Sequence, residues 1–357
     1  MAKDFVCTHE IIEAAHRAWS ATTWDYVAGA ALTETTLRRN RYALDSYAFL
    51  PRILRDVSKI DLSAKVLGQT LRAPVLVSPM GSVGLMTPEG VKASARATTR
   101  YGTIQTVSSV AGQDVETIAA AASGPKIFQL YIRGDMDWIR KHLNRAKAAG
   151  YIGLMITVDG PYYGIRERQL IHRWSLPSIV DPSRHIQASV TWETFAEIRK
   201  HWGGPTVIKG IATAADAKLA VEHGVSAICV SNHGGRELDH GRGTLDMLPE
   251  VVEAVAKRAE VWVDGGIVRG TDVVKALCLG ANCVGIGRLA AWGLGADGED
   301  GLVRTLEILE SEIFNAMGLI GATCVADLGP EYLTRVVPMG PTHETSAFRH
   351  LGPEALR

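Results

Sequence analysis

Short apolar runs alternate with amphipathic segments through most of this chain. From Ala73 onward, eight apolar-rich runs recur, and each is short enough for a strand buried on both faces. The segments between them carry apolar residues at helical spacing. The strand candidates span residues 74–80, 103–107, 126–131, 152–158, 206–209, 226–231, 261–264 and 282–287, and the helix candidates span 88–101, 114–122, 135–149, 213–223, 246–259 and 270–279.

This alternation predicts an α/β fold, a parallel (β/α)8 TIM barrel. A doubly wound sheet would show the same alternation, but eight consecutive units favour closure into a barrel. An irregular stretch over residues 160–190 follows the fourth strand and is expected to form a lid, because loops of that length are usually functional. We expect one domain, divided into an N-terminal helical cap (1–72), the barrel (73–288), and a C-terminal helix (about 300–317) with its tail (289–357).

Composition narrows the classes of protein that this chain can represent. Apolar residues make up 46% and charged residues 21%, which suits a soluble protein with a large core. Basic and acidic residues are equal at 38 each, so neither nucleic acid nor an anionic membrane is expected as a partner. No apolar run reaches the length of a membrane span. The N-terminus has acidic residues where a signal peptide needs an apolar segment, and the five cysteines are scattered without a CxxC pair. We therefore expect reduced thiols, a cytoplasmic location and no metal site.

Polar residues or glycines stand at the carboxyl ends of all eight predicted strands. In a barrel these ends meet at one mouth, which is where such barrels place their active sites. Any single position could be structural, since a threonine can cap a strand and a lysine can extend to solvent, but chance placement of all of them is improbable. The positions are Met80, Gly81, Ser108, Gln129, Tyr131, Thr157, Asp159, Lys209, Ser231, His233, Arg236, Asp264, Gly265, Gly266, Gly287 and Arg288.

The end of the sixth strand carries the most specific chemistry. His233 and Arg236 follow it directly, separated by two glycines that allow a sharp turn or a close approach to a ligand. An imidazole that titrates near neutral pH beside a guanidinium indicates a base next to an anion site. The structural alternative is a capped strand end with a solvated charge.

Glycine-rich turns after the seventh and eighth strands indicate a phosphate site. Residues 264–266 (DGG) and 285–288 (GIGR) expose main-chain N–H groups beside an arginine, and these two loops form the usual phosphate site of such barrels. A ligand with one phosphate is therefore expected. The GxGxxG pattern at 293–298 is not taken as a dinucleotide site, because no strand precedes it closely and no βαβ unit follows.

Six motifs together closely resemble those of the FMN-dependent α-hydroxy-acid oxidases and dehydrogenases. In chain order they are QLY, ITVD, VIKG, SNHGGRELD, DGGIVRGTDVVKALCLGA and GIGR. That family includes glycolate oxidase, lactate oxidase, mandelate dehydrogenase and flavocytochrome b2. The resemblance runs from about Asp25 to about residue 318. It implies FMN as cofactor, oxidation of an (S)-2-hydroxy acid to the 2-keto acid, dioxygen or another electron acceptor, and a homotetramer.

The resemblance also implies roles for individual residues. His233 would be the base and Asp159 its partner, and Lys209 would stabilise negative charge on the reduced flavin. The substrate would be held by Arg166, Arg236, Tyr26 and Tyr131. Further FMN contacts would come from Pro79, Met80, Gly81, Ser108, Gln129, Thr157, Ser231, Asp264, Gly265, Gly266, Gly287 and Arg288.

The sequence departs from the family pattern at several positions. Val268 stands where the family usually has the first of two arginines, so one phosphate contact is expected to be missing. Val110 replaces the bulky tryptophan of glycolate oxidase, which predicts a roomier substrate pocket. Tyr162 and Ile165 replace arginines that some members carry near the same loop.

Two other functions remain open at this point. One is a barrel lyase or isomerase that uses Lys209 as a Schiff-base amine on a phosphorylated substrate. The other is a flavin-binding barrel without turnover. The sequence leaves open which hydroxy acid is used and which acceptor reoxidises the flavin. Because it has no CxxCH motif, it predicts no haem acceptor within the chain.

Overall fold

The computed structural model describes residues 4–174, 182–340 and 346–348. The N-terminal segment lacks a core of its own in the described part, since its helices pack on the barrel and on the C-terminal helix. Ser20 caps the second helix by accepting a hydrogen bond from the Thr23 main-chain N–H. The elements are α1 (Thr8–Ala18), α2 (Ala21–Ala28), α3 (Thr35–Asp45), β1 (Tyr47–Phe49) and the antiparallel hairpin of β2 (Ala64–Val66) and β3 (Gln69–Leu71).

The eight predicted strands close into one barrel of parallel strands, so the predicted fold is confirmed. They follow one another around the barrel in chain order, and the eighth pairs with the first. Their residues are almost all buried, as expected for strands covered on both faces. The strands are β4 (Val75–Val77), β5 (Gln105–Ser108), β6 (Lys126–Leu130), β7 (Gly153–Thr157), β8 (Thr206–Ile211), β9 (Ala227–Val230), β10 (Glu260–Asp264) and β11 (Cys283–Ile286).

Helices follow the barrel strands, and all six helix candidates are present. One further helix, α8, was missed, although Phe195, Ile198 and Trp202 recur at helical spacing and are buried. Thr191 caps it by accepting from the Thr194 N–H. The helices are α4 (Val91–Tyr101), α5 (Val115–Ala121), α6 (Met136–Ala148), α7 (Glu167–Ile171), α8 (Trp192–Trp202), α9 (Ala214–Glu222), α10 (Thr244–Val255) and α11 (Gly270–Cys278).

The stretch after β7, predicted to be an irregular lid, contains helical turns where the structure describes it. It includes α7 and a 3-10 helix over Pro182–Ser189, while residues 175–181 of the predicted lid lie outside the described residues. The C-terminal part is also more ordered than expected. The helical segment α12 (Arg288–Ile320) starts directly after β11 and is interrupted at Asp297 and Gly298, and β12 (Leu333–Arg335) pairs with β1.

The β2–β3 hairpin closes the amino-terminal end of the barrel. Val66 and Leu71 are buried against inward-facing residues from the strands, among them Ile127, Val207 and Trp262. A cluster of this kind excludes water from that end, and its apolar burial stabilises the fold. The carboxyl end is therefore the open one, and the helices of the N-terminal segment lie there.

Candidate active site

A cavity opens at the carboxyl end of the barrel, with about 1540 Å³ of empty space when its mouth is counted. Five of the predicted site residues are buried or nearly buried at the same strand ends but do not line the cavity. They are the predicted FMN contacts Ser108, Gln129, Thr157 and Ser231, and the predicted catalytic residue Asp159. The predicted residues that do line it are Tyr26, Tyr131, Arg166, His233, Arg236, Pro79, Met80, Gly81, Lys209, Asp264, Gly265, Gly266, Gly287 and Arg288.

His233 has an uncommon backbone conformation for a residue with a side chain. Its φ is +57°, in the left-handed region, directly after β9. Its N–H donates to the Ser231 hydroxyl over 3.1 Å, and its carbonyl accepts from the Arg236 N–H over 3.3 Å. Strain of this kind persists only where the surroundings hold it, and it clusters at functional sites. Here it directs the imidazole into the cavity.

The imidazole of His233 lies between a carboxylate and a phenol. Its Nδ1 is 3.0 Å from Asp159 Oδ1, and its Nε2 is 3.2 Å from the Tyr131 hydroxyl. A carboxylate only accepts, so Nδ1 carries the hydrogen and Nε2 is left as the acceptor. Burial raises the pKa of Tyr131, so its hydroxyl stays protonated and can donate. The arrangement presents a basic Nε2 to the cavity.

Asp159 is held in its charged form. Burial alone would raise its pKa, but the electrostatic interactions and hydrogen bond with His233 and the charge of Lys209 outweigh burial and lower the pKa below its usual value. The chain bulges at Gly210, between Lys209 and Ile211 of β8. A Cβ at Gly210 would lie 2.6 Å from the Asp159 Cβ, so only glycine lets β8 pass this close to the carboxylate.

Lys209 is the centre of a buried polar network. Its Nζ donates to the Ser231 hydroxyl over 2.8 Å and lies 3.6 Å from Asp264 Oδ2, and Ser231 in turn donates to Asp264 Oδ1 over 2.5 Å. Burial opposes the charged form, yet the carboxylates of Asp264 and Asp159 raise the pKa of Lys209 above its usual value. Lys209 is therefore a fixed positive charge at the barrel mouth.

Arg236 is a partly buried cation that makes no ion pair with a carboxylate in the described part of the chain. Its Nη1 donates to the carbonyls of Tyr26 and Gly29 over 2.7 and 2.9 Å, and its guanidinium lies 5.1 Å from the centre of the Tyr26 ring. Burial and then the positive charge of Arg166 lower its pKa, as expected for a cation short of a counter-charge. An anionic ligand would supply that charge.

Arg166 lines the cavity, as predicted, and contacts protein groups in this structure. Its Nη2 pairs with Glu237 Oε1 at 3.0 Å, its Nε donates to the Arg236 carbonyl over 3.2 Å, and its Nη1 contacts the Tyr163 hydroxyl. That Arg166 helps to hold the substrate carboxylate stays a prediction.

The phosphate end of the cavity also differs from the expectation. Val268 is buried, and Arg288 donates to the carbonyls of Val27, Gly29 and Gly234. These bonds tie the N-terminal segment to the His233 loop, and the predicted contact of the Arg288 guanidinium with the phosphate stays a prediction. Main chain is also available at this end, because the turn at Gly287 leads directly into the first turn of α12 and nothing lies within 4 Å of a Cβ placed there.

Buried polar atoms without partners test whether FMN fits this site. Both side-chain polar atoms of Gln129 and the hydroxyl of Thr157 are buried and have no hydrogen-bond partner among the described residues. Such groups cost about 1–3 kcal/mol each unless a ligand or water satisfies them. They stand at the carboxyl ends of β6 and β7, the end at which the cavity opens, and a flavin edge that reaches them would satisfy them with its own donors and acceptors. The residues present fit FMN.

The N-terminal segment and the stretch after β7 meet above the cavity. His172 Nε2 lies 2.7 Å from Asp25 Oδ2, Arg168 pairs with Glu34 at 2.5 Å, and the Trp174 ring packs edge-on against Tyr26. Two elements that are remote in sequence thus jointly cover the mouth, which limits the entry of water.

Sequence reasoning missed Tyr163 and Glu237, which hold Arg166, and Arg41, which lines the phosphate end. Arg41 is buried and pairs with Asp272, the residue that caps α11 by accepting from the N–H groups of Val268 and Arg269. The sequence did contain a signal for Glu237, because it directly follows Arg236. An acidic residue inside a predicted anion-binding motif indicates a partner for a nearby cation.

Comparison with known proteins agrees with this site. The family model described as FMN-dependent dehydrogenase matches residues 15–187 and 179–335. The 2-hydroxyacid oxidase 2 of Rattus norvegicus is 37% identical over 92% of this chain and 98% of that protein, and glycolate oxidase 1 of Oryza sativa subsp. japonica is 39% identical over 85% and 89%.

Solved structures of mandelate oxidase superpose closely. One has a TM-score of 0.88 at 35% identity, covering 94% of this chain and all of the other. Another, with benzoyl-formic acid, has a TM-score of 0.87 at 36% identity with the same coverage. Sequence and structure agree over nearly the whole length, and the chain belongs to the family of FMN-dependent dehydrogenases.

Proposed function

We propose that this protein uses FMN to oxidise (S)-2-hydroxy acids to 2-keto acids and passes the electrons to dioxygen. The observation that supports the proposal is that two groups line one cavity. They are the His233 imidazole, whose Nδ1 is bound to Asp159, and Arg236, a partly buried cation without an ion-pair partner among the described residues. A hydroxy acid presents a hydroxyl carbon beside a carboxylate, and these two groups match that pair.

FMN, when bound, accepts the two electrons that the substrate loses. The protein supplies the proton chemistry: His233 Nε2 takes a proton from the substrate, and the Asp159 carboxylate stabilises the imidazolium that results. The fixed charge of Lys209 favours negative charge in the cavity next to the strand ends. Tyr131, whose hydroxyl reaches Nε2 in this structure, is positioned to donate to the bound acid instead.

The names of the relatives support the substrate class and the acceptor. Both curated relatives described above are oxidases, one of 2-hydroxy acids and one of glycolate, and the structural relatives are mandelate oxidases. On this basis we favour dioxygen over a quinone or a carrier protein. None of the helices in the described residues is long and apolar enough to cross a membrane. A homotetramer and a cytoplasmic location stay predictions.

A lyase or isomerase that uses Lys209 as a Schiff-base amine is the weaker alternative. A Schiff base needs a neutral amine, whereas Asp264 and Asp159 raise the pKa of Lys209 and keep it protonated. That function would also leave His233 and Arg236 without a role.

Anaerobic mixing of the holoenzyme with a panel of 2-hydroxy acids tests the proposal. We expect the flavin absorbance to bleach with at least one of them, and the reduced enzyme to be reoxidised faster by dioxygen than by a quinone. In the His233→Ala variant, the flavin should stay bound while reduction slows by about 10²- to 10⁴-fold, the usual contribution of a general base. Near-normal reduction in this variant would remove His233 from the mechanism, and a wild-type flavin that no 2-hydroxy acid bleaches would refute the function.

A further inference from the structure

Glu237 is a carboxylate built into the wall of the substrate cavity. It lines the cavity together with Arg166, and the two form an ion pair of 3.0 Å in which their side chains are only 8% and 6% exposed. Its other oxygen accepts from the Gly164 N–H over 2.7 Å. Buried charges of this kind are stable only when paired and hydrogen-bonded, and both conditions are met here.

The segment after β7 can reach Glu237 only because residue 164 is glycine. A Cβ there would lie 2.3 Å from the Arg236 carbonyl oxygen and 2.6 Å from that of Glu237. No side chain fits so close to backbone atoms. The two segments therefore touch main chain to main chain, and the position of the Glu237 carboxylate is fixed by backbone as well as by Arg166.

The ion pair sets the charge of the substrate end. Arg166 is neutralised by Glu237, whereas Arg236 has no acidic partner in the described ranges. Counted over these three side chains, two positive charges and one negative charge leave one net positive charge. One carboxylate balances that charge, and a second would not be balanced.

We propose that Glu237 is a specificity-determining residue, an inference that rests on the proposed function. It restricts the site to 2-hydroxy acids with a single carboxylate and an apolar side chain. A second carboxylate on the substrate would enter a cavity that already holds a fixed negative charge, and like charges repel strongly where water is excluded. The wall at Gly81 is apolar, because Val110 lies 3.2 Å from a Cβ placed at Gly81, and Met80 and Met86 also line the cavity.

A pair of substrates that match in shape but not in charge tests this inference. The pair is 2-hydroxyglutarate and 2-hydroxy-5-methylhexanoate, in which an isopropyl group replaces the distal carboxylate. With wild-type holoenzyme, we expect anaerobic flavin reduction to favour the methylhexanoate strongly in second-order rate constant. In Glu237→Gln the preference should fall by about tenfold, the size expected from removing one like charge in a partly dry cavity.

Two further variants separate charge from shape. Glu237→Asp keeps the charge, so it should keep the preference. Glu34→Gln is the matched control, because Glu34 also pairs with an arginine of the segment after β7, Arg168, but does not line the cavity. It should leave the preference unchanged. An unchanged preference in Glu237→Gln, or an equal loss in Glu34→Gln, would overturn the inference.

A binding measurement on the wild-type holoenzyme makes the test independent of turnover and of variant folding. We expect 5-methyl-2-oxohexanoate to perturb the flavin spectrum at much lower concentration than 2-oxoglutarate does. Equal binding of the two keto acids would overturn the assignment of Glu237 while leaving the proposed oxidation intact. Failure of every 2-hydroxy acid to bleach the flavin would instead refute the proposed function, and this inference with it.

Discussion

At the scale of single residues, the site is a set of ionisable side chains whose protonation states depend on the residues around them. Asp159 stays ionised although it is buried, because His233 and Lys209 outweigh the cost of burial. Tyr131 stays protonated because burial disfavours its phenolate. His233 is the one member of this trio that is free to exchange a proton through Nε2, since its Nδ1 is bound to the carboxylate.

Replacing Asp159 by asparagine tests this reasoning. The amide has nearly the same shape but no charge, so it cannot stabilise an imidazolium at His233. We expect flavin reduction by substrate to slow by about 10²- to 10⁴-fold, as when the acid behind a catalytic histidine is replaced. The measurement is the limiting rate of flavin bleaching at saturating substrate. Asp56→Asn, at an exposed position outside the cavity, is the control, and a comparable loss there would contradict the assignment.

At the scale of elements, the sequence predicts position better than it predicts contacts. All eight barrel strands and the mouth-side location of His233 follow from apolar periodicity, because residues at the carboxyl ends of parallel strands converge. The contacts of Arg166 and Arg288 did not follow. Both arginines were assigned to ligands, but the first pairs with Glu237 and the second with carbonyls of residues 27–29 and 234. Such partners come from segments remote in sequence, and no local pattern specifies them.

The junction of α3 and α11 shows how one such contact supports the phosphate end. Arg41 of α3 donates to both oxygens of Asp272, over 2.9 and 2.8 Å, and Asp272 accepts from the N–H groups of Val268 and Arg269, which directly precede α11. Burial would raise the pKa of Asp272, but Arg41 lowers it below its usual value. The carboxylate thus ties a helix of the N-terminal segment to the loop that follows β10.

Asp272→Asn should lower the free energy of unfolding by about 3–5 kcal/mol at pH 7, because it removes the buried carboxylate of the ion pair and leaves Arg41 only the more exposed Asp45. Because the folded-state pKa of Asp272 is lowered, its ionised carboxylate stabilises the folded protein at pH values above its unfolded-state pKa, about 3.9. This contribution to the free energy of unfolding is lost as the pH falls through the folded-state pKa. The wild type should therefore lose more stability than the variant on acidification below about pH 4. Urea unfolding of both proteins at pH 7 and in that acid range measures this difference.

Asp45→Asn provides the matched comparison for that experiment. Asp45 pairs with the same arginine at 2.8 Å, but its side chain is 31% exposed against 1% for Asp272. Water can replace part of the interaction, so the cost should stay near or below about 1 kcal/mol. Equal destabilisation by the two substitutions would show that burial of Asp272 is not the cause.

At the scale of the whole molecule, the two ends of the barrel have opposite characters. The amino-terminal end is closed by the apolar β2–β3 hairpin, while the carboxyl end keeps buried polar groups unsatisfied in its interior. Stability of the closed end comes from burial within the chain. Stability of the open end depends on a ligand that satisfies Gln129 and Thr157, so cofactor binding and folding are linked.

Removal of FMN should therefore destabilise the protein in a way that the cofactor reverses. Saturating FMN, at roughly a thousand times its dissociation constant, adds about 4 kcal/mol and should raise the melting temperature by roughly 5–10 °C. Riboflavin, which lacks the phosphate, should give a smaller rise because it leaves the cradle at Gly287 empty.

In Gln129→Leu the apoprotein should melt at or above the melting temperature of the wild-type apoprotein, since two unsatisfied buried atoms are removed. The rise in melting temperature that FMN produces should be smaller in this variant. Calorimetry of both proteins with and without each flavin measures these shifts. An equal rise with riboflavin would contradict the phosphate cradle, and an undiminished rise in Gln129→Leu would contradict the contact between Gln129 and the flavin.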